Sequence, residues 1–173
     1  MKSMRILTAA CAVMLLAATA ASAQQTIFVV RHAERADTPV PGGTAMTAPA
    51  TDPPLSAAGN ERAARLAAML RSADIRHVFT TEYLRTRQTA APTAQAQRLE
   101  VVAVASRDQG VVTAQALQAK GNVLIVGHSN TVPDVLKRLG VKEAITIADA
   151  EFDNLFVVVR PESGEPTLIR LRY

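Results

Sequence analysis

The sequence predicts an α/β fold: three layers, α/β/α, around a mostly parallel central sheet that ends in a C-terminal edge hairpin. Three observations carry this. Short apolar, β-branched runs that do not alternate with polar residues recur along the chain, as in strands buried on both faces of a parallel sheet. Between them lie stretches with apolar residues at i, i+3, i+4 and i+7, the stripe of a helix that packs on such a sheet. The last two runs are joined only by a short Pro- and Gly-containing segment, the pattern of a hairpin.

The amino terminus stands apart from this pattern. Lys2 and Arg5 precede an uncharged, Ala- and Leu-rich run from Ile6 to Ala20, and Ala21-Ser22-Ala23 follows. These are the parts of a secretory signal peptide, with cleavage expected after Ala23. The apolar run is short for a membrane span of about 20 residues. The chain therefore divides into a signal peptide over 1–23 and a single domain over 24–173, expected in the periplasm or outside the cell with no membrane anchor after cleavage. The one cysteine, Cys11, falls within the leader, so the mature chain has no thiol for a disulfide or a thiolate nucleophile.

The elements follow in order. Ile27 to Val30 is the first strand, bounded by charge. Ala36 to Pro54 has no periodicity; it carries five prolines and the Gly42-Gly43 pair, and so reads as a long loop of the kind that covers or shapes a site. Ala63, Leu66, Ala67 and Leu70 define a helix that Ser56 can cap, with Glu61 placed to pair with Arg65. Val78-Phe79-Thr80-Thr81 is the second strand. Arg85 and Arg87 open the next helix, Leu99 to Val104 is the third strand, and a helix beginning near Val111 has Asp108 as a possible cap. Val123 to Val126 is the fourth strand. Val132, Val135, Leu136 and Leu139 define a helix that Asn130 can cap and Gly140 can close, with Pro133 tolerated in its first turn. Phe152 to Val159 and Thr167 to Tyr173 form the hairpin.

Composition excludes some function classes. The net charge of +4 comprises 19 basic and 15 acidic side chains, and without Lys2 and Arg5 the mature domain carries +2. Aromatic residues make up 3% of the chain, so the basic stripe interleaved with aromatics that marks nucleic-acid binding is missing. The three histidines, at 32, 77 and 128, have no His, Cys or carboxylate neighbours at zinc-ligand spacing, so the sequence offers no metal cluster.

Three strand ends do converge on one chemistry. Arg31-His32 ends the first strand, His128 follows the fourth in Val126-Gly127-His128-Ser129-Asn130, and Arg85 begins the helix after the second. In open α/β sheets the carboxyl edge is where ligands bind, and a helix amino terminus favours an anion. Guanidinium forks and imidazole donors suit the compact oxygens of a phosphoryl group. Without cysteine, the residues leave the covalent acceptor open among His, Ser, Thr and carboxylates. Ser129 has no base placed beside it, and His77, just before Val78, reads as a surface strand residue.

The chain resembles the histidine phosphatase superfamily, also called phosphoglycerate-mutase-like. Arg31-His32, Leu55-Ser56-Ala57-Ala58-Gly59 with Arg62-Ala63, Leu84-Arg85-Thr86-Arg87-Gln88-Thr89-Ala90, and Gly127-His128-Ser129 carry the resemblance, in family order over most of the mature chain. It implies a metal-independent phosphomonoesterase with no organic cofactor, acting through a phosphohistidine on His32, with Arg31, Arg85 and His128 binding the phosphoryl oxygens and a small phosphorylated molecule as substrate. It also implies an acid that protonates the leaving oxygen. Asp108, 23 residues past Arg85 in Ser106-Arg107-Asp108-Gln109-Gly110, is the first candidate and Glu82 the runner-up, with Glu34 also near. Arg62 matches the family pattern in a structural or peripheral place, and Arg87 faces away from Arg85. The alternatives are a non-catalytic phosphate or phosphosugar-binding domain and a phosphoglycerate-mutase-like phosphotransferase, for which 150 mature residues leave little room for the usual insertions.

Overall fold

A computed structural model describes residues 24–37 and 51–173. The leader over 1–23 and the middle of the 36–54 loop lie outside the described residues. Ten elements follow one another: β1 (Gln25–Arg31), α1 (Ala57–Met69), β2 (Ile75–Thr80), α2 (Leu84–Gln97), β3 (Val101–Ala103), α3 (Gln109–Gln118), β4 (Asn122–Gly127), α4 (Val132–Arg138), β5 (Asn154–Arg160) and β6 (Thr167–Arg172).

The six strands form one sheet in the order β3-β2-β4-β1-β5-β6. β1 pairs with β4, and β2 with both β4 and β3, all in parallel, whereas β5 runs antiparallel to β1 and to β6. The parallel half thus carries the expected strands, and the hairpin extends it at one edge. Successive β1 side chains go to opposite faces. Ile27 and Val29 join Val112, Ala116, Val132 and Leu136 of α3 and α4, and Val30 joins Leu66, Leu70, Ala90 and Ala94 around α1 and α2. The sheet is the middle of three layers.

Local chemistry explains the ends of the elements. Ser56 caps α1, its hydroxyl accepting from the Gly59 N–H. Gly140, at φ 94°, follows α4 in the left-handed conformation that closes a helix. Three expectations change. The third strand contracts from Leu99–Val104 to Val101–Ala103, because Arg98 turns left-handed (φ 57°) and the Leu99 N–H closes α2 on the Ala94 carbonyl (2.9 Å). The helix expected near Val111 begins at Gln109, and Asp108 is its cap residue by position but makes no side-chain capping bond. Thr131, not Asn130, is the cap residue of α4; its hydroxyl accepts from the His128 N–H (2.9 Å) and so shapes the turn after β4.

Candidate active site

The carboxyl ends of β2, β4 and β1 lie side by side in the sheet, and each delivers a site residue. The His32 N–H donates to the Gly127 carbonyl (2.9 Å), which continues the pairing of β1 with β4 by one residue. The next N–H, of Ala33, donates to Thr89 Oγ1 (2.9 Å), whose hydroxyl donates to the Arg85 carbonyl (2.7 Å). One buried threonine therefore joins the turn bearing His32 to the turn of α2 bearing Arg85. The His32 ring donates Nδ1–H to the Ala33 carbonyl (2.8 Å). That bond fixes the tautomer and leaves the lone pair on Nε2.

His128 stands edge-on to His32, with ring centroids 5.3 Å apart at 69°. On its other side Tyr83 also meets it edge-on at 5.3 Å. Gly127 permits this close turn, since a Cβ there would lie 2.9 Å from Thr131 Oγ1. His128 Nε2 is buried without a hydrogen-bond partner.

The two arginines are held from behind. Arg31 donates Nη1 to the carbonyls of Ala148, Asp149 and Glu151, each at 3.0 Å, and its guanidinium lies 4.0 Å above the Phe152 ring. The Arg85 guanidinium stacks 4.2 Å over Tyr83, with Nη1 3.5 Å from the Asp52 carboxylate. In both, Nε is buried and unpartnered.

These cations and the burial set the state of the imidazoles. Desolvation, with smaller contributions from His128, Arg31 and Arg85, pushes His32 down to about 3 against the bond to Ala33. Desolvation and Arg85 push His128 down to about 4, against the opposing charge of Glu82. Both rings are neutral at pH 7, which is the form a nucleophilic histidine needs. An open cavity of about 320 Å³ lies beside His128, lined also by Tyr83, Arg85, Ser106, Arg107 and Asn130.

The structure thus brings Arg31, His32, Arg85 and His128 together. The acid candidates lie as follows. Asp108 is 4.0 Å from Arg107 Nε with its side chain 47% exposed, beside the cavity residue Arg107 but not itself lining the cavity. Burial pushes the Glu82 carboxyl up, but hydrogen bonds from its own backbone and from Ser106 outweigh this and hold it below the usual range; its oxygens accept from the Ser106 N–H and hydroxyl (2.7 and 2.9 Å). Glu34 is engaged by Arg62, which donates Nε to both its oxygens and Nη2 to one of them. Arg62 also donates to the Tyr173 carbonyl (2.9 Å), a structural tie between α1, the His32 turn and the end of the hairpin. Arg87 is exposed, and His77 stacks on Phe79 at the far end of β2. Among the described residues no three His, Cys, Asp or Glu side chains are grouped to hold a metal.

Residues 27–106 match the model of the histidine phosphatase superfamily, branch 1. Over those residues the chain is similar to this superfamily. The match ends before His128, whose place beside His32 comes from the fold. No curated protein matches the sequence. Solved histidine phosphatases share the architecture. A protein histidine phosphatase, SixA, complexed with tungstate superposes with a TM-score of 0.65 at 22% identity, over 85% of this chain and 96% of that one. A mycobacterial glucosyl-3-phosphoglycerate phosphatase gives 0.61 at 10% identity, over 87% and 99%. Sequence reasoning missed Thr89, Tyr83, Thr131, Phe152, Asp52 and the carbonyls of 148–151. Thr89 sits inside a motif but reads there as one more helix residue; the others carry no local signal, because their roles depend on neighbours far away in the chain.

Proposed function

We propose that the protein is a metal-independent phosphatase that hydrolyses phosphomonoesters through a phosphohistidine on His32. One observation carries the reading: Arg31 Nε, Arg85 Nε and His128 Nε2 are all buried without a partner around a histidine whose Nε2 is free. A buried polar group left unpaired costs about 1–3 kcal/mol, and a phosphoryl group accepting from these donors removes that cost. The match to the superfamily model over residues 27–106 supports phosphatase activity through a histidine.

In the first step His32 Nε2 attacks phosphorus in line. The P–N bond forms as the P–O bond breaks, and the electron pair leaves with the ester oxygen, which takes up a proton. Arg31, Arg85 and His128 donate to the equatorial oxygens as charge shifts in the transition state. Water then attacks phosphorus, the P–N bond breaks, phosphate departs and the neutral imidazole returns. No metal is needed for either step.

A specific observation favours a narrower class. No carboxyl lines the cavity among the described residues, and residues 38–50 contain no Asp or Glu. Such a site suits leaving groups that need little protonation, as in aryl and acyl phosphates or the phosphoramidate of a protein phosphohistidine. The likeness to a protein histidine phosphatase adds phosphohistidine to the substrates worth testing. Signal-peptide removal would place this activity in the periplasm or outside the cell.

The test is hydrolysis of p-nitrophenyl phosphate by residues 24–173 in EDTA between pH 4 and 8, beside His32→Ala. Activity that resists EDTA and is lost with His32, together with an acid-labile, base-stable phosphoenzyme, is expected. Phosphate binding without turnover by the unaltered protein would instead establish a phosphate-binding domain.

A further inference from the structure

Asp52 belongs to the returning end of the 36–54 loop and is followed by Pro53 and Pro54, which favour an extended, stiff backbone at this point. The return is stitched to the site by three hydrogen bonds: Ala36 N–H to the Pro54 carbonyl (2.8 Å), Leu55 N–H to Gln88 Oε1 (2.8 Å) and Ser56 N–H to the Glu34 carbonyl (2.9 Å). On this anchored segment the Asp52 carboxylate reaches α2. Both of its oxygens lie 3.0 Å from the Leu84 N–H, and one lies 3.5 Å from Arg85 Nη1.

A guanidinium is planar, so two contacts fix it: one on its face and one on its edge. Tyr83 supplies the face at 4.2 Å and Asp52 the edge at Nη1, while Nε remains buried and unpartnered. We propose that Asp52 is a positioning residue of the reaction: it holds the outer edge of Arg85 so that the unpartnered part of the fork is aimed at the phosphoryl group. This rests on the proposed phosphatase reading and adds to it a role for Asp52 at the anchored end of the loop.

Asp52 also accepts from the first N–H of α2, so a capping role has to be separated from a positioning one. Asp52→Asn keeps an oxygen for the Leu84 N–H and removes the charge beside Arg85; Asp52→Ala removes both. With positioning, both variants lower kcat on p-nitrophenyl phosphate, by about tenfold for a misaimed transition-state contact. Both also weaken orthovanadate, which mimics the pentacoordinate transition state, more than inorganic phosphate, which mimics the ground state. Asp52→Glu should recover part of kcat. Melting temperature separates the cap, falling in Asp52→Ala and not in Asp52→Asn. Unchanged kcat in Asp52→Asn would overturn the proposal and leave Asp52 as a cap alone. Tighter phosphate binding with kcat retained or raised would also overturn it, showing that the carboxylate competes with substrate for Arg85. An unaltered protein without activity would fail the phosphatase reading itself, a result that the Asp52 variants do not produce.

Discussion

His32 and His128 are folded as neutral imidazoles, and this makes pH a probe of both. Their folded pKa values, about 3 and about 4, lie below the ordinary 6.5. Between those values and 6.5 the unfolded chain binds more protons than the folded one, so stability falls as pH falls. Melting temperature should therefore drop from pH 6.5 to about 4, and less steeply in a His32→Asn/His128→Asn protein. An NMR titration of the imidazole resonances in the unliganded protein should show no midpoint above pH 5 for either ring; a midpoint near 6.5 would contradict their burial as neutral groups. Thr89 offers a second check at the same scale. Thr89→Val keeps the shape but orphans the buried Ala33 N–H, at a cost of about 1–3 kcal/mol in urea unfolding, and it should lower kcat because the turns bearing His32 and Arg85 lose their shared hydroxyl. Thr89→Ser should restore both.

At the scale of elements, the contact between α1 and the turn after β1 decides how the site is assembled. Gly59, in the first turn of α1, sits so close to that turn that a Cβ would run into the Glu34 carbonyl oxygen, a backbone atom that cannot swing aside. Gly59→Ala should lower the melting temperature and activity together, because relieving the clash displaces the segment that begins at Arg31-His32. The hydrophobic runs made β1, β2 and β4 legible in the sequence, since a strand buried in the sheet has little polar face to disguise it, and the Pro- and Gly-containing connection marked the hairpin, whose β6 is largely exposed. The periodic stripes likewise gave α1 and α4. What could not be read was set by contacts across the chain. Thr131 displaced Asn130 as the cap residue because its hydroxyl satisfies the N–H of His128, and β3 shortened because Leu99 is spent on closing α2. Arg31 and His32 were readable at the end of β1, His128 directly after β4 and Arg85 at the start of the helix after β2; Asp52 and Phe152 were not, because no local pattern says which strand end they will meet.

For the whole molecule, strand direction determines what surrounds His32. β2, β4 and β1 run in parallel and present Arg85, His128 and His32 at their carboxyl ends, whereas antiparallel β5 enters at that same edge. The segment before β5 therefore meets Arg31, giving it three carbonyls and the Phe152 face. Carbonyls neutralise the arginine only in part, and the carboxylates nearby are committed elsewhere: Glu34 to Arg62, Asp37 to Arg35, Glu82 to Ser106 and Asp52 to α2. The pocket is thus rich in donors to phosphate and poor in carboxylic acid for the leaving group. General acid catalysis contributes about 10²–10⁴-fold where it operates, so the unaltered protein should hydrolyse p-nitrophenyl and acetyl phosphate at least about a hundredfold faster than an alkyl phosphate such as glycerol phosphate. Asp108→Asn and Glu82→Gln should leave that ratio nearly unchanged. Equal rates on aryl and alkyl esters would show that an acid does reach the leaving oxygen, and a loss confined to the alkyl ester in one variant would identify it as Asp108 or Glu82.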